Sequence, residues 1–382
     1  MRIGTGLSTN PQPEHAAAEA TGVARSSLGG EEPSVAVLVV SRQHAPAADG
    51  VLKVVRDEAP VDRVIGCVAE AVVGGGREVE EGPAVSVWLA ALPQPVETFH
   101  MEYVSTPSGA AFAGYLFDRG GPGPYVLIAD PFTFPVELLL HHLNRNHPGT
   151  VVMGGMASGA VAPGQTRLFI DDRVVLEGAV GARLAGVRIR PIVSQGCRPI
   201  GDVFTVTKAE GNVIYELGGE PPLVRLDEIM LHLSPEERAL IGQGLHIGRV
   251  IDEYKTELGP GDFLVRGVVG ADRQTGAIAV GDRIEVGEAV RFHIRDATTA
   301  GQDLRSMLDR VAGERVRGGL LFTCNGRGTR LFPVPDHDAA LVQERLGELP
   351  LAGFNCAGEI GPVGGRNFLH GFTASVALFC EA

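Results

Sequence analysis

The sequence predicts an α+β protein of two tandem related domains, in which mixed β-sheets are flanked by helices and built from internal repeats. Three observations carry that expectation. The 382 residues are 44% apolar and 21% charged, a globular balance with material for two cores of roughly 150–200 residues each. Sliding the sequence against itself by 289 residues aligns 67–90 with 356–379 without a gap, with nine identities in 24 positions. These are Cys67/Cys356, Glu70/Glu359, Gly75/Gly364, Gly76/Gly365, Arg77/Arg366, Gly82/Gly371, Ser86/Ser375, Val87/Val376 and Leu89/Leu378. Finally, apolar strand-like runs alternate with helical stretches and glycine turns, which favours mixed over purely parallel sheets.

Each copy of the repeat runs strand, helix, strand, Gly-rich turn, strand. The first has Val35–Val40, a helix near 47–58, Val64–Cys67, the turn Gly74-Gly75-Gly76 and the strand Val85–Leu89. A middle copy, weaker and supported at a shift of 199 by Gly154/Gly353, Gly159/Gly358, Pro163/Pro362, Arg167/Arg366 and Phe169/Phe368, has Tyr125–Ala129 and a helix from about Pro135 to Asn146. It continues with Val151–Met153, a turn at Pro163-Gly164 and a strand near Ala179–Val187. The last has Gly319–Thr323, a helix from about Asp338 to Leu346, Leu351–Phe354, the turn Gly364-Gly365 and the strand Ala374–Cys380. A fourth unit is expected around Phe263–Val269, after a helix at about Leu245–Glu257. The expected boundaries are a leading tail or helix over 1–30, a first domain over 31–188 and a second over 189–382.

Composition excludes several classes of function. With 46 acidic residues against 33 basic ones and 5% aromatics, the chain has neither the clustered cations nor the stacking platforms that nucleic acid needs, and an anionic membrane surface is disfavoured on the same ground. Its longest obviously apolar stretch, Val35–Val40, is far short of the ~18 residues of a membrane helix, and the opening residues contain no apolar signal core. Five scattered cysteines without a Cys-x-x-Cys pair read as reduced thiols in a cytoplasmic protein. None of the three lysines follows glycine, so there is no phosphate-binding loop of the Walker type, and no nucleophile elbow, zinc-binding His-Glu-x-x-His or dinucleotide fingerprint occurs. No cofactor is expected, and His141, His142 and His147 lack the spacing that would put three ligands on one helix face.

The stretch Gly319-Leu320-Leu321-Phe322-Thr323-Cys324-Asn325-Gly326-Arg327-Gly328, followed by residues 358–373 beginning Gly358-Glu359-Ile360-Gly361-Pro362, resembles the FIST sensory domain. Ser194–Gly201 and Arg295-Asp296 look like further pieces of its C-terminal half, and Val64–Leu89 looks like its N-terminal half. The resemblance covers nearly the whole chain from about residue 30. It implies a small-ligand sensory module in signal transduction, with amino acids as the ligand class and a signalling protein as partner.

Candidate ligand residues come from physical chemistry. Cys324-Asn325-Gly326-Arg327-Gly328 leaves a strand as a glycine-rich loop whose N–H groups can turn toward an anion, with Arg327 as a bidentate carboxylate contact and Asn325 as donor and acceptor. Glu359 suits an ammonium group. The competing explanation is a pair of structural ion bridges, Glu70–Arg77 and Glu359–Arg366, across the two repeated turns. His370 has no histidine counterpart in the first copy, where Glu81 stands, which makes it a candidate for ligand contact or pH response. Arg295 offers a further cation, against the alternative that Asp296 is a helix cap beside a surface arginine. The ligand set is therefore Cys324, Asn325, Arg327, Glu359, Arg366, His370 and Arg295, in a protein that is not an enzyme. Two alternatives are a thiol-dependent enzyme using Cys324 and a protein-binding scaffold without a small ligand.

Overall fold

A computed structural model describes residues 1–106, 109–121, 123–255, 257–259 and 261–381. The architecture is α+β with mixed sheets, and the chain forms two compact units. One comprises Met1–Val193 together with the chain from Leu304 onward, and the other is Ser194–Asp303.

The larger unit holds three sheets. The first runs Arg2–Ser8, Val85–Ala91, Val35–Ser41, Val64–Ala69, Leu168–Ile170, Arg173–Val175. The second runs Arg366–His370, Glu359–Val363, Val152–Met156, Tyr125–Ala129, Ala179–Leu184, Val96–Thr106, Gly109–Ala113. The third runs Arg188–Gln195, Thr373–Cys380, Val316–Cys324, Leu351–Cys356, Val72–Gly74, Arg77–Val79. Central strands such as Val35–Ser41 and Val64–Ala69 are buried along their whole length, which is why they read as continuous apolar runs rather than alternating ones. One face of each sheet joins a shared core containing Val37, Ile65, Trp88, Ile128, Phe322, Phe354 and Phe379. Helices cover the opposite faces: Pro13–Ser26 and Ala48–Glu58 on the first sheet, Val136–Asn146 on the second, His337–Leu346 on the third.

The repeats are visible as a cyclic exchange of hairpins. In each, two parallel strands flank a helix: Val35–Ser41 with Val64–Ala69, Tyr125–Ala129 with Val152–Met156, and Val316–Cys324 with Leu351–Cys356. The hairpin that follows is given to another sheet. Hairpin 72–79 extends the third sheet through Leu351–Cys356, hairpin 168–175 extends the first through Val64–Ala69, and hairpin 359–370 extends the second through Val152–Met156. Glycine marks the equivalent point in all three parallel pairs. A Cβ on Gly66, Gly154 or Gly353 would lie 1.8 Å from the carbonyl oxygen of Leu38, Leu127 or Leu321, its register partner.

The structure departs from the sequence expectations in three places. The middle repeat's hairpin turns at Asp171-Asp172, between Leu168–Ile170 and Arg173–Val175, not at Pro163-Gly164. Arg167 and Phe169 therefore do not correspond to Arg366 and Phe368, which belong to the second strand of their hairpin. The expected fourth repeat is a closed barrel in the order Cys197–Glu210, Val213–Leu217, Ile278–Val280, Phe263–Ala271, Leu245–Val250, Ala289–Arg295. Leu245–Val250, expected to be helical, is a strand because it pairs on both sides, and such ladders override a weak local propensity; Thr256, inside that expected helix, lies outside the described residues. The barrel encloses its own core of Ile200, Val206, Ile214, Ile247, Val290 and Phe292. The opening 30 residues supply a sheet strand, Arg2–Ser8, as well as a helix, Pro13–Ser26.

Candidate functional site at the Cys324 strand end

The parallel strands Val316–Cys324 and Leu351–Cys356 end together, with Cys324 and Cys356 in register. Open α/β sheets bind ligands beyond the carboxyl ends of such strands. The same position in the other repeats, three residues beyond Leu38 and Leu127, holds Ser41 and Asp130. Both face inward and are engaged. The Ser41 hydroxyl accepts from the Ala84 N–H at 2.8 Å, and Asp130 accepts from the Thr133 N–H and the hydroxyls of Thr133 and Thr166. At the third strand end the Gly326 N–H points at the Cys324 sulfur, 3.4 Å away, and Asn325 and Gly326 are partly open to solvent.

Arg327 folds back beneath this loop. Its guanidinium is fully buried and grips Asp338 through Nε at 2.6 Å and Nη2 at 2.8 Å. Thr323 Oγ1 donates to Asp338 at 3.0 Å, and His337 Nδ1 lies 2.9 Å from its other oxygen. Phe332 stacks on the His337 ring and lies 5.1 Å from the Arg327 guanidinium. Burial alone would raise the Asp338 carboxyl, but Arg327 holds it well below the usual carboxylate range. Glu78, on the hairpin from the first repeat, enters the same buried cluster. It accepts from the Ala339 N–H at the start of helix His337–Leu346 at 2.8 Å, while its own N–H donates to Asp336 at 2.6 Å. Burial and then the Asp338 charge push Glu78 up to about 8.

The exposed rim is built from the same two stretches of chain. Arg330 donates to Glu70 at 2.6 Å and to the Asn325 carbonyl at 2.7 Å. Glu80 accepts from the Thr329 N–H at 2.9 Å and hydroxyl at 2.7 Å. Gly328 adopts φ +58°, and a Cβ there would sit 2.6 Å from the Glu80 carboxylate, so glycine is needed twice over. Two arginines, Arg327 and Arg330, four carboxylates, Glu70, Glu78, Glu80 and Asp338, and the Asn325 side-chain amide therefore converge at one strand end.

The structure gathers some of the expected ligand residues and separates others. Cys324, Asn325 and Arg327 form one loop, but the guanidinium expected to receive a ligand carboxylate is bound to Asp338, because a buried cation requires a counter-charge. Glu359 is buried and accepts from the Thr373 N–H at 3.1 Å and hydroxyl at 2.8 Å. It and Cys324 both act electrostatically on Cys356. His370 pairs in register with Glu359, and its Nε2 lies 2.9 Å from the Gly361 carbonyl. Arg366 sits at the other end of that hairpin, exposed, 5.6 Å from the Phe368 ring. The bridges envisaged across the turns are replaced by longer-range partners, Arg330 for Glu70 and Thr373 for Glu359. Arg295 belongs to the barrel, in register with Cys197. Its neighbour Asp296 caps the following helix, accepting from the N–H groups of Thr298 and Thr299. Beside Arg295, buried His246 and His293 face each other across two strands, both pushed down to about 4, chiefly by burial.

Arg330, Glu70, Glu78, Glu80 and Asp338 complete the site, and of these only Glu70 stands out in the repeat. The available signal was the acidic run Glu78-Val79-Glu80-Glu81 after one Gly-Gly turn and the cations Arg327 and Arg330 in a distant loop. Glu80 and Thr329 are 249 residues apart, so charge complementarity between them has no local trace.

The profile of the FIST N domain matches residues 34–220 and that of the FIST C domain residues 223–362. The chain belongs to the FIST family, whose domains are associated with sensory roles in signal transduction. Two uncharacterized proteins from strains of Mycobacterium tuberculosis are 52% identical over 384 residues, spanning 100% of this chain and 100% of theirs. An uncharacterized protein of Mycobacterium bovis is also 52% identical, over 100% of this chain and 99% of its own. No helix among the described residues is long and apolar enough to cross a membrane.

Proposed function

We propose that this protein is a non-catalytic sensor of a small zwitterionic metabolite, with amino acids as the first candidates, bound at the rim formed by Asn325, Arg330, Glu70 and Glu80. The Arg330–Glu70 pair carries the reading. Arg330 is 57% exposed, and an ion pair so placed is worth about 0–1 kcal/mol, so a ligand carboxylate can displace Glu70 from the guanidinium at little cost. Glu70, released, and Glu80 then face the ligand's ammonium group, while the Asn325 amide can serve either end. Because the rim joins the loop 325–330 to Glu70 and Glu80, which flank hairpin 72–79, ligand binding would tighten one against the other. That change is a signal that a protein partner can read. Five scattered cysteines, all buried as thiols, support a reducing, cytoplasmic setting.

Thermal unfolding against an amino-acid panel tests the proposal, since ligand at 100 times Kd stabilises the native state by about 2.7 kcal/mol. A selective upward shift is expected that is lost in Arg330→Ala and kept in Arg366→Ala. No shift with any member of the panel, or an equal shift in Arg330→Ala, would overturn it.

A further inference from the structure

We propose that Cys324 and Cys356 form a reversible dithiol–disulfide pair, an oxidation site at the end of the two central strands of the third sheet. The residues are register partners on adjacent parallel strands, where Cα atoms are ~4.8 Å apart, inside the range of roughly 4.4–6.8 Å that a disulfide spans. Their side chains share a face. Alternate residues of a strand point the same way; Phe322, Phe354 and Cys356 all belong to the shared core, so Cys324, two residues beyond Phe322, faces Cys356. Each is the last residue of its strand, followed by Asn325-Gly326 or by Ala357-Gly358. The local backbone can therefore adjust the small amount that closing the bond requires.

The surroundings assign the order of events. The Gly326 N–H points at the Cys324 sulfur, and Cys324 is the less enclosed of the two, 8% exposed against 0% for Cys356, so an oxidant meets it first. Cys356 is fully enclosed, and burial followed by the Glu359 charge pushes its thiol up, so it stays protonated and the first attack falls to Cys324. The oxidant is a peroxide. The Cys324 thiolate attacks one peroxide oxygen, forming an S–O bond as the O–O bond breaks and hydroxide leaves, to be protonated to water. The Cys356 sulfur then attacks the Cys324 sulfur, forming the S–S bond and expelling the sulfenic oxygen as water with the Cys356 proton. Two thiols are oxidised and one hydrogen peroxide is reduced to two waters. Cys67 is a third thiol near Cys356 but lies on another sheet, on a strand with no cysteine in register.

The experiment is stepwise treatment of the full-length protein with hydrogen peroxide, followed by alkylation in denaturant and peptide mass mapping. The expected product is a loss of two hydrogen atoms in one crosslink between the Cys324 and Cys356 peptides, accumulating at least tenfold faster than modification of Cys67, Cys197 or Cys380, and reversed by a dithiol reductant. Cys356→Ser should divert the reaction to a dimedone-reactive sulfenic acid on Cys324, and Cys324→Ser should slow all thiol loss at least tenfold. Cys356→Ala serves as a second variant should the serine disturb the core. Reduced, alkylatable Cys324 and Cys356 after peroxide treatment of the folded protein, or a crosslink from Cys356 to Cys67 instead, would overturn the proposal.

Discussion

At the scale of single residues, the decisive interaction is the buried salt bridge between Arg327 and Asp338. Removing one member of such a pair leaves the other as an uncompensated buried charge, so Arg327→Ala is expected to destabilise the protein by about 3–5 kcal/mol in urea unfolding. Adding Asp338→Asn to that variant should recover part of the loss. Glu78 makes a second, pH-dependent prediction. Its usual value is 4.5 and its folded value about 8, so between those limits the native state holds more protons than the unfolded chain. Stability should therefore fall as pH rises through that window, by up to about 1.4 kcal/mol per unit, and level off above it. Glu78→Gln, neutral throughout, is expected to match the parent near pH 5 and exceed its melting temperature above pH 8; equal slopes for parent and variant would refute the account.

At the scale of elements, the parallel strand pairs are fixed by glycine. Gly353 has φ +154° and Gly154 +152°, and both let the neighbouring strand's carbonyl approach where a Cβ would stand. Gly353→Ala must push Leu351–Cys356 away from Val316–Cys324 and with it disturb Cys324 and Cys356. We expect a loss of about 3 kcal/mol or more, together with loss of the proposed ligand binding, readable as a lower melting temperature and absence of the ligand-induced shift. The hairpin turns set a milder requirement. Gly75 and Gly364 both have positive φ but no atom near an added Cβ, so alanine at either should cost less, through backbone strain alone.

At the scale of the whole molecule, the exchange of hairpins ties the two ends of the chain together. Hairpin 72–79 of the first repeat completes the third sheet, and hairpin 359–370 of the last completes the second. A fragment spanning 31–188 therefore exposes the edge of Val152–Met156 and leaves hairpin 72–79 without its sheet. It is expected not to unfold cooperatively by circular dichroism and to associate through its open edges, whereas adding 189–382 as a separate chain should restore a single melting transition. Cooperative melting of 31–188 alone would show that the exchange is dispensable.

The sequence determined much of the scaffold, because its signals are local. Uninterrupted apolar runs located the buried strands at Val35–Ser41, Tyr125–Ala129 and Val316–Cys324, and the helical stretches between successive runs located the helices Ala48–Glu58, Val136–Asn146 and His337–Leu346. The recurrence of Gly-Gly-Arg after a Cys and a Glu disclosed the repeat, and the residues at 319–328 and 358–373 disclosed the family. Tertiary structure alone decided which sheet each hairpin joins, since a strand's own residues do not name a partner hundreds of positions away. It also decided that 194–303 closes into a barrel and that Arg327 serves Asp338 while Arg330 reaches the rim. An arginine's role depends on whether its guanidinium is desolvated beside a carboxylate or left in water, and that is a property of the folded chain.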